Sequence, residues 1–169
     1  MPPPNPAATE AAQVTLGYAG AFLFNIFMQV HGKITAVRQF RAAKAAGGAG
    51  KYNRYTSNLM LAADRSVGNF VEWQGTFLAL FWTNALVAGG KEIWLGWVYV
   101  AARVLYPLLA RAGAIKKQGV TPLIFFSTVP GYYVLLRYMY LIYHGVFPKA
   151  SKAVLPSPPS AHHALHATE

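Results

Sequence analysis

Apolar residues fall in four long runs separated by short polar or glycine-rich breaks, a pattern that predicts helices and not strands. The first run covers 12–35 with LGYAGAFLFNIFMQV at its centre, and a basic extension carries it through Arg38, Arg41 and Lys44. The segment AAGGAG at 45–50 ends it, because glycine disfavours helix interiors and permits turns. The second run covers 57–88 and stops at Gly89-Gly90. The third covers 92–110, centred on WLGWVYVAARVLYPLLA, and the fourth covers 121–147 after the loop RAGAIKKQG. Runs of about 20 apolar residues match the hydrocarbon thickness of a bilayer. The expected fold is therefore all-α and integral to the membrane: a four-transmembrane-helix bundle over 12–147. An irregular Pro-rich N-terminus, 1–11, and a Pro/Ser/His/Ala tail, 148–169, expected to be disordered, flank it.

Composition agrees. The 169-residue chain is 54% hydrophobic and 12% charged, whereas a soluble domain is about 25% charged. Its 10 Tyr, 10 Phe and 4 Trp fall largely where spans meet an interface. In a soluble protein a net charge of +10 would point to nucleic acid. Here the basic residues sit mostly in two loops. Six fall between Lys33 and Ala63 with no acid among them, and Arg111, Lys116 and Lys117 follow the third run. The hairpin between runs two and three has Lys91 offset by Glu92, and the N-terminus has only Glu10. This asymmetry places loops one and three on the cytosolic side and both termini opposite, with the lipid bilayer and not nucleic acid as partner. The absence of cysteine excludes disulfides, thiolate metal sites and a protein thiol nucleophile, so any sulfur chemistry needs a thiol brought by a ligand. No basic residue precedes Lys33, which argues against a secretory signal or an Arg-rich transit peptide.

Within the second run, Arg65, Asn69 and Glu72 share one helical stripe, about 10 Å long at 1.5 Å per residue. Ionisable groups at membrane depth cost at least ~2.5–3.5 kcal/mol each, so a stripe of them needs partners. Three readings are open: an internal Arg–Glu pair with Asn as interhelical glue, a pocket for a small zwitterionic or anionic ligand, and a proton or ion path. The last is the weakest, because no series of acids lines another span.

The segment RSVGNFVEWQGTFLALFW, followed by GWVYVAARVLYPLLA, resembles the membrane-associated proteins in eicosanoid and glutathione metabolism, the MAPEG family. That family's second helix carries Arg, Asn four later and Glu three after that, and its third helix an Arg-Val-Leu-Tyr-like segment, here Arg103 to Tyr106. The resemblance covers about 12–147. It implies a homotrimer in the endoplasmic reticulum or an organelle membrane, with glutathione as co-substrate held between subunits near the cytosolic side. Arg65 and Arg103 would hold carboxylate in forked contacts, Glu72 would accept from the ammonium, and Asn69 would bridge. The implied activity is glutathione-dependent transfer to, or peroxide reduction of, hydrophobic electrophiles, with a cationic wall stabilising the thiolate.

The chain departs from the family pattern at three places. Gly75 stands where a Pro usually follows the Glu, and Ala110 where better-studied members carry a Tyr. The Arg that opens their fourth helix has Lys116 and Lys117 as its nearest counterparts, and a lysine lacks the guanidinium fork. Lys117 is the candidate thiolate stabiliser. The alternative function is a non-catalytic accessory subunit among unrelated chains of a respiratory or photosynthetic membrane complex.

Other polar residues have plainer expectations. Arg103, flanked on its stripe by Tyr99 and Tyr106, is a possible partner of Glu72 across the bundle, and Pro107 is expected to kink its helix. Arg137 either snorkels to headgroups or meets another charged or protein group. Asn25 and Gln29 are expected to bond between helices, and His31 to be interfacial. His162, His163 and His166 form a short His-rich tract, a weak metal signal.

Overall fold

Asn5 opens the first helix. Its side chain accepts from the Ala7 amide at 3.0 Å and Pro6 takes the first helical position, where the missing N–H costs nothing. In the computed structural model, which describes residues 5–116 and 119–147, α1 therefore starts at Pro6, inside the stretch expected to be irregular, and runs Pro6–Ala45. At 1.5 Å per residue it is about 60 Å long. Ala11, Val14, Tyr18, Ala21, Asn25, Gly32 and Ala36 form its buried stripe at spacings of three, four and seven. Leu16, Leu23, Phe27, Val30 and Ile34 are exposed on the other side, so the helix is apolar all round, as a helix in lipid or at a subunit contact is.

Ser57 caps α2 (Asn58–Leu86), accepting from the Met60 amide at 3.4 Å. A turn follows in which Gly89, Gly90 and Glu92 all have positive φ, at 74°, 67° and 51°. Because Glu92 takes this left-handed conformation, α3 starts at Leu95, later than the apolar run suggested, and spans Leu95–Leu109. Pro107 lies inside it, and a π-helical turn, Ala110–Ala114, unwinds at Gly113. The strands β1 (Ile115–Lys116) and β2 (Gly119–Val120) pair antiparallel, Ile115 opposite Val120. A 3-10 turn, Pro122–Ile124, then leads into α4 (Phe125–Val146).

The four helices pack around Tyr18, Phe70, Phe77, Phe81, Tyr99, Val134 and Tyr138. Phe77 and Tyr99 stack with centroids 3.9 Å apart and planes 4° from parallel. Helix approach is closest at glycines: a Cβ on Gly96 would lie 2.6 Å from Val14 and 2.8 Å from Phe81.

The all-α, four-helix architecture is thus present. Among the described residues one helix, α1, is long and apolar enough to cross a membrane by length and composition. The regular part of α3, 15 residues, measures about 22 Å against a hydrocarbon core of about 30 Å. In α2, Asp64, Arg65 and Glu72 dilute the apolar run. The tail expected to be disordered, with its three histidines, lies outside the described residues, as does Lys117.

Candidate functional site

The stripe on α2 lines an open cleft of about 340 Å³, within the range of small-molecule sites. Arg65, Asn69 and Glu72 stand along its floor, Gly68 leaves space between them, Tyr106 of α3 closes one side, and Arg54 and Tyr55 from a 3-10 turn, Arg54–Thr56, cover its end.

That cover is fastened by Asp64. Its carboxylate accepts from Lys33 of α1 at 2.8 Å, from Arg54 at 2.8 Å and from Gln29 at 3.3 Å. One acid thereby ties α1, loop one and α2 together. The hydrogen bond to Asp64 raises the Arg54 pKa above its ordinary value, so Arg54 stays charged at the cleft rim.

Arg65 and Glu72 are both exposed to the cleft, and neither enters an ion pair among the described residues. They stand seven residues apart, about 10 Å along the helix. Nor does Glu72 pair with Arg103. The Arg103 guanidinium is turned into the bundle, 2% exposed, with Nη1 donating to Asn69 Oδ1 at 2.5 Å and Cζ 4.5 Å from the centroid of the Tyr99 ring. The stripe is therefore not the self-satisfied Arg–Glu pair considered from the sequence. Arg65, Asn69 and Glu72 share one cleft, and Arg103 stands behind Asn69.

Sequence reasoning missed Arg54 and Tyr55, because the fold of loop one brings them to the stripe, and it missed the role of Asp64, whose partners come from α1 and loop one. Tyr106 carried a usable signal: it lies three residues after Arg103, on the same face of α3.

The remaining polar residues find structural roles. Asn25 Nδ2 donates to the carbonyls of Ala21 at 2.9 Å and Arg103 at 3.1 Å, joining α1 to α3. His31 Nδ1 lies 2.6 Å from Arg111 Nη1. Arg137 forms a forked ion pair with Glu92 and lies over the Tyr140 ring. Ala110 is buried in a small cluster with Tyr106 and Ile124, Gly75 is exposed on α2, and Lys116 is exposed in β1. Among the described residues, no group of three or more His, Asp or Glu is placed to hold a metal.

Beside the polar cleft, an apolar groove of about 290 Å³ runs between α2 and α4, bounded by Trp73, Leu80, Tyr132, Leu136 and Met139. Trp73 directly follows Glu72, so the groove begins where the polar stripe ends.

The MAPEG family model matches residues 16–137. No curated protein and no solved structure matches the chain.

Proposed function

The chain belongs to the MAPEG family, and from that premise we propose a membrane-bound, glutathione-dependent transferase or peroxidase acting on hydrophobic electrophiles. The observation that carries this reading is that Arg65, Asn69 and Glu72 open onto one cleft of about 340 Å³ while Arg65 and Glu72 enter no ion pair among the described residues.

The donor set fits glutathione, which has two carboxylates, one ammonium and a thiol. Arg65 suits a carboxylate through its guanidinium fork. Glu72 suits the ammonium, Asn69 supplies an amide, and Arg103 supports the arrangement from within the bundle. Lys117, which precedes α4 in the sequence, is our candidate for the thiolate stabiliser, because a cation near the sulfur lowers the thiol pKa. The apolar groove starting at Trp73 suits an electrophile that partitions from lipid.

The one-sided exposure of Arg65 and Glu72 supports a homotrimer in which a neighbouring copy closes the cleft. The chain spans the membrane in this reading, in the endoplasmic reticulum or an organelle, with loops one and three cytosolic. In conjugation, the sulfur attacks the electrophilic carbon, a C–S bond forms, the leaving group departs with its electron pair, and the thiol proton passes to solvent.

One observation favours a second reading, a non-catalytic accessory subunit of a larger membrane complex. The head of α4 presents the apolar Phe125 and Phe126, 54% and 71% exposed, and no arginine.

Turnover separates the two. In detergent or liposomes, the enzyme reading predicts glutathione-dependent release of chloride from 1-chloro-2,4-dinitrobenzene, abolished in Arg65→Ala. Glutathione binding without turnover on chlorodinitrobenzene or a lipid hydroperoxide would support the accessory reading.

A further inference from the structure

An arginine side chain can only donate hydrogen bonds. Since Arg103 Nη1 bonds the Asn69 side chain, the amide oxygen must be the atom facing the bundle, and the amide NH2 must point the other way.

Arg103 is well fixed for this task. Its guanidinium lies over the Tyr99 ring, and its backbone carbonyl accepts from Asn25 at 3.1 Å. On the α4 side, Gly131 passes so close that a Cβ there would lie 2.9 Å from Nη2. Nε and Nη2 have no hydrogen-bond partner among the described residues, so the hydrogen bond that fixes the guanidinium is the one from Nη1 to Asn69.

We propose that Arg103 is a positioning residue and not a ligand of glutathione: it locks Asn69 as a hydrogen-bond donor to the cleft. The ligand group seated at Asn69 is then an acceptor (a carboxylate, a peptide carbonyl or the thiolate) and not the ammonium. The cleft acquires a direction, with donors at Arg65 and Asn69 and the acceptor Glu72 one turn further along α2. The inference rests on the glutathione reading of this cleft.

The test is a mutant cycle read by calorimetric glutathione affinity, with the thermal midpoint measured alongside. Arg103→Met removes the donor, and Gly131→Ala displaces it from the opposite helix. Each is expected to lower affinity about tenfold when Asn69 is present. In an Asn69→Ala background each is expected to change it by less than about twofold, because Arg103 acts through that amide. Arg103→Lys, which still donates, should restore most of the affinity. Asn69→Asp should form an ion pair with Arg103 and fold, yet lose affinity as Asn69→Ala does, because the cleft donor is gone. Equal losses in both backgrounds, or undiminished affinity in Asn69→Asp, would overturn the inference and leave the glutathione reading standing. No glutathione binding by folded wild type would overturn that reading and the inference with it.

Discussion

Glu92 and Arg137 meet in a forked ion pair, with Nε to Oε2 at 2.9 Å and Nη2 on Oε1, that ties the turn between α2 and α3 to the middle of α4. The pair answers what a lone arginine in an apolar helix is for: it reaches a protein carboxylate. It also accounts for the conformation of Glu92, whose φ of 51° is unfavourable for a side chain with a Cβ. The forked contact holds the residue there, and Tyr138 donates to the Ile93 carbonyl at 3.2 Å just beside it.

The pair makes stability sensitive to acid. Arg137 holds the Glu92 carboxyl below its ordinary value of 4.5. A folded pKa below the unfolded one gives stabilisation that is complete above the ordinary value and lost as pH falls through the lowered one. The thermal midpoint in detergent should therefore be insensitive to this group from neutral pH down to about 5 and fall below that. Glu92→Gln should lower the midpoint at neutral pH and remove this acid-dependent component.

Gly96 sets how closely α1, α2 and α3 approach. Gly96→Ala places a methyl against Val14 and Phe81 at well under van der Waals distance. Overpacking of this kind costs about 1–3 kcal/mol. Thermal unfolding should show the loss, whereas Gly75→Ala, with nothing within 4 Å of the added carbon, should be neutral or slightly stabilising.

Asp64 anchors loop one, so Asp64→Asn should loosen Lys33 and Arg54 together. Limited trypsin digestion should cut at Lys51 and Arg54 faster than in wild type, while the four-helix core stays intact. Glutathione affinity should fall modestly as the cover over the cleft is lost. Unchanged cleavage kinetics would mean that the loop is held by other contacts, such as the tilted ring contact of Phe40 with Tyr52.

Much of this was legible in the chain. Apolar run length and glycine breaks gave four helices, and the spacing of Arg65, Asn69 and Glu72 put them on one stripe of α2. Helix ends were less legible, because they depend on local chemistry: Asn5 capping an earlier start to α1, and Glu92 delaying α3. The direction in which Arg103 points could not be read at all. Its partner was open between Glu72 and a ligand, and the choice of Asn69 is set by the facing ring of Tyr99 and the gap at Gly131, both three-dimensional facts. Arg54 was invisible for the same reason, since a loop with no periodicity carries it to the cleft, where it meets Asp64 of α2.

The most direct test of the central claim is isothermal titration of glutathione into detergent-purified protein, with Arg65→Ala and Glu72→Gln alongside. The predicted result is saturable binding by wild type that is lost in both variants while their thermal midpoints are preserved. Folded wild type that takes up no glutathione, or binding that survives both substitutions, would contradict the account of the α2 cleft.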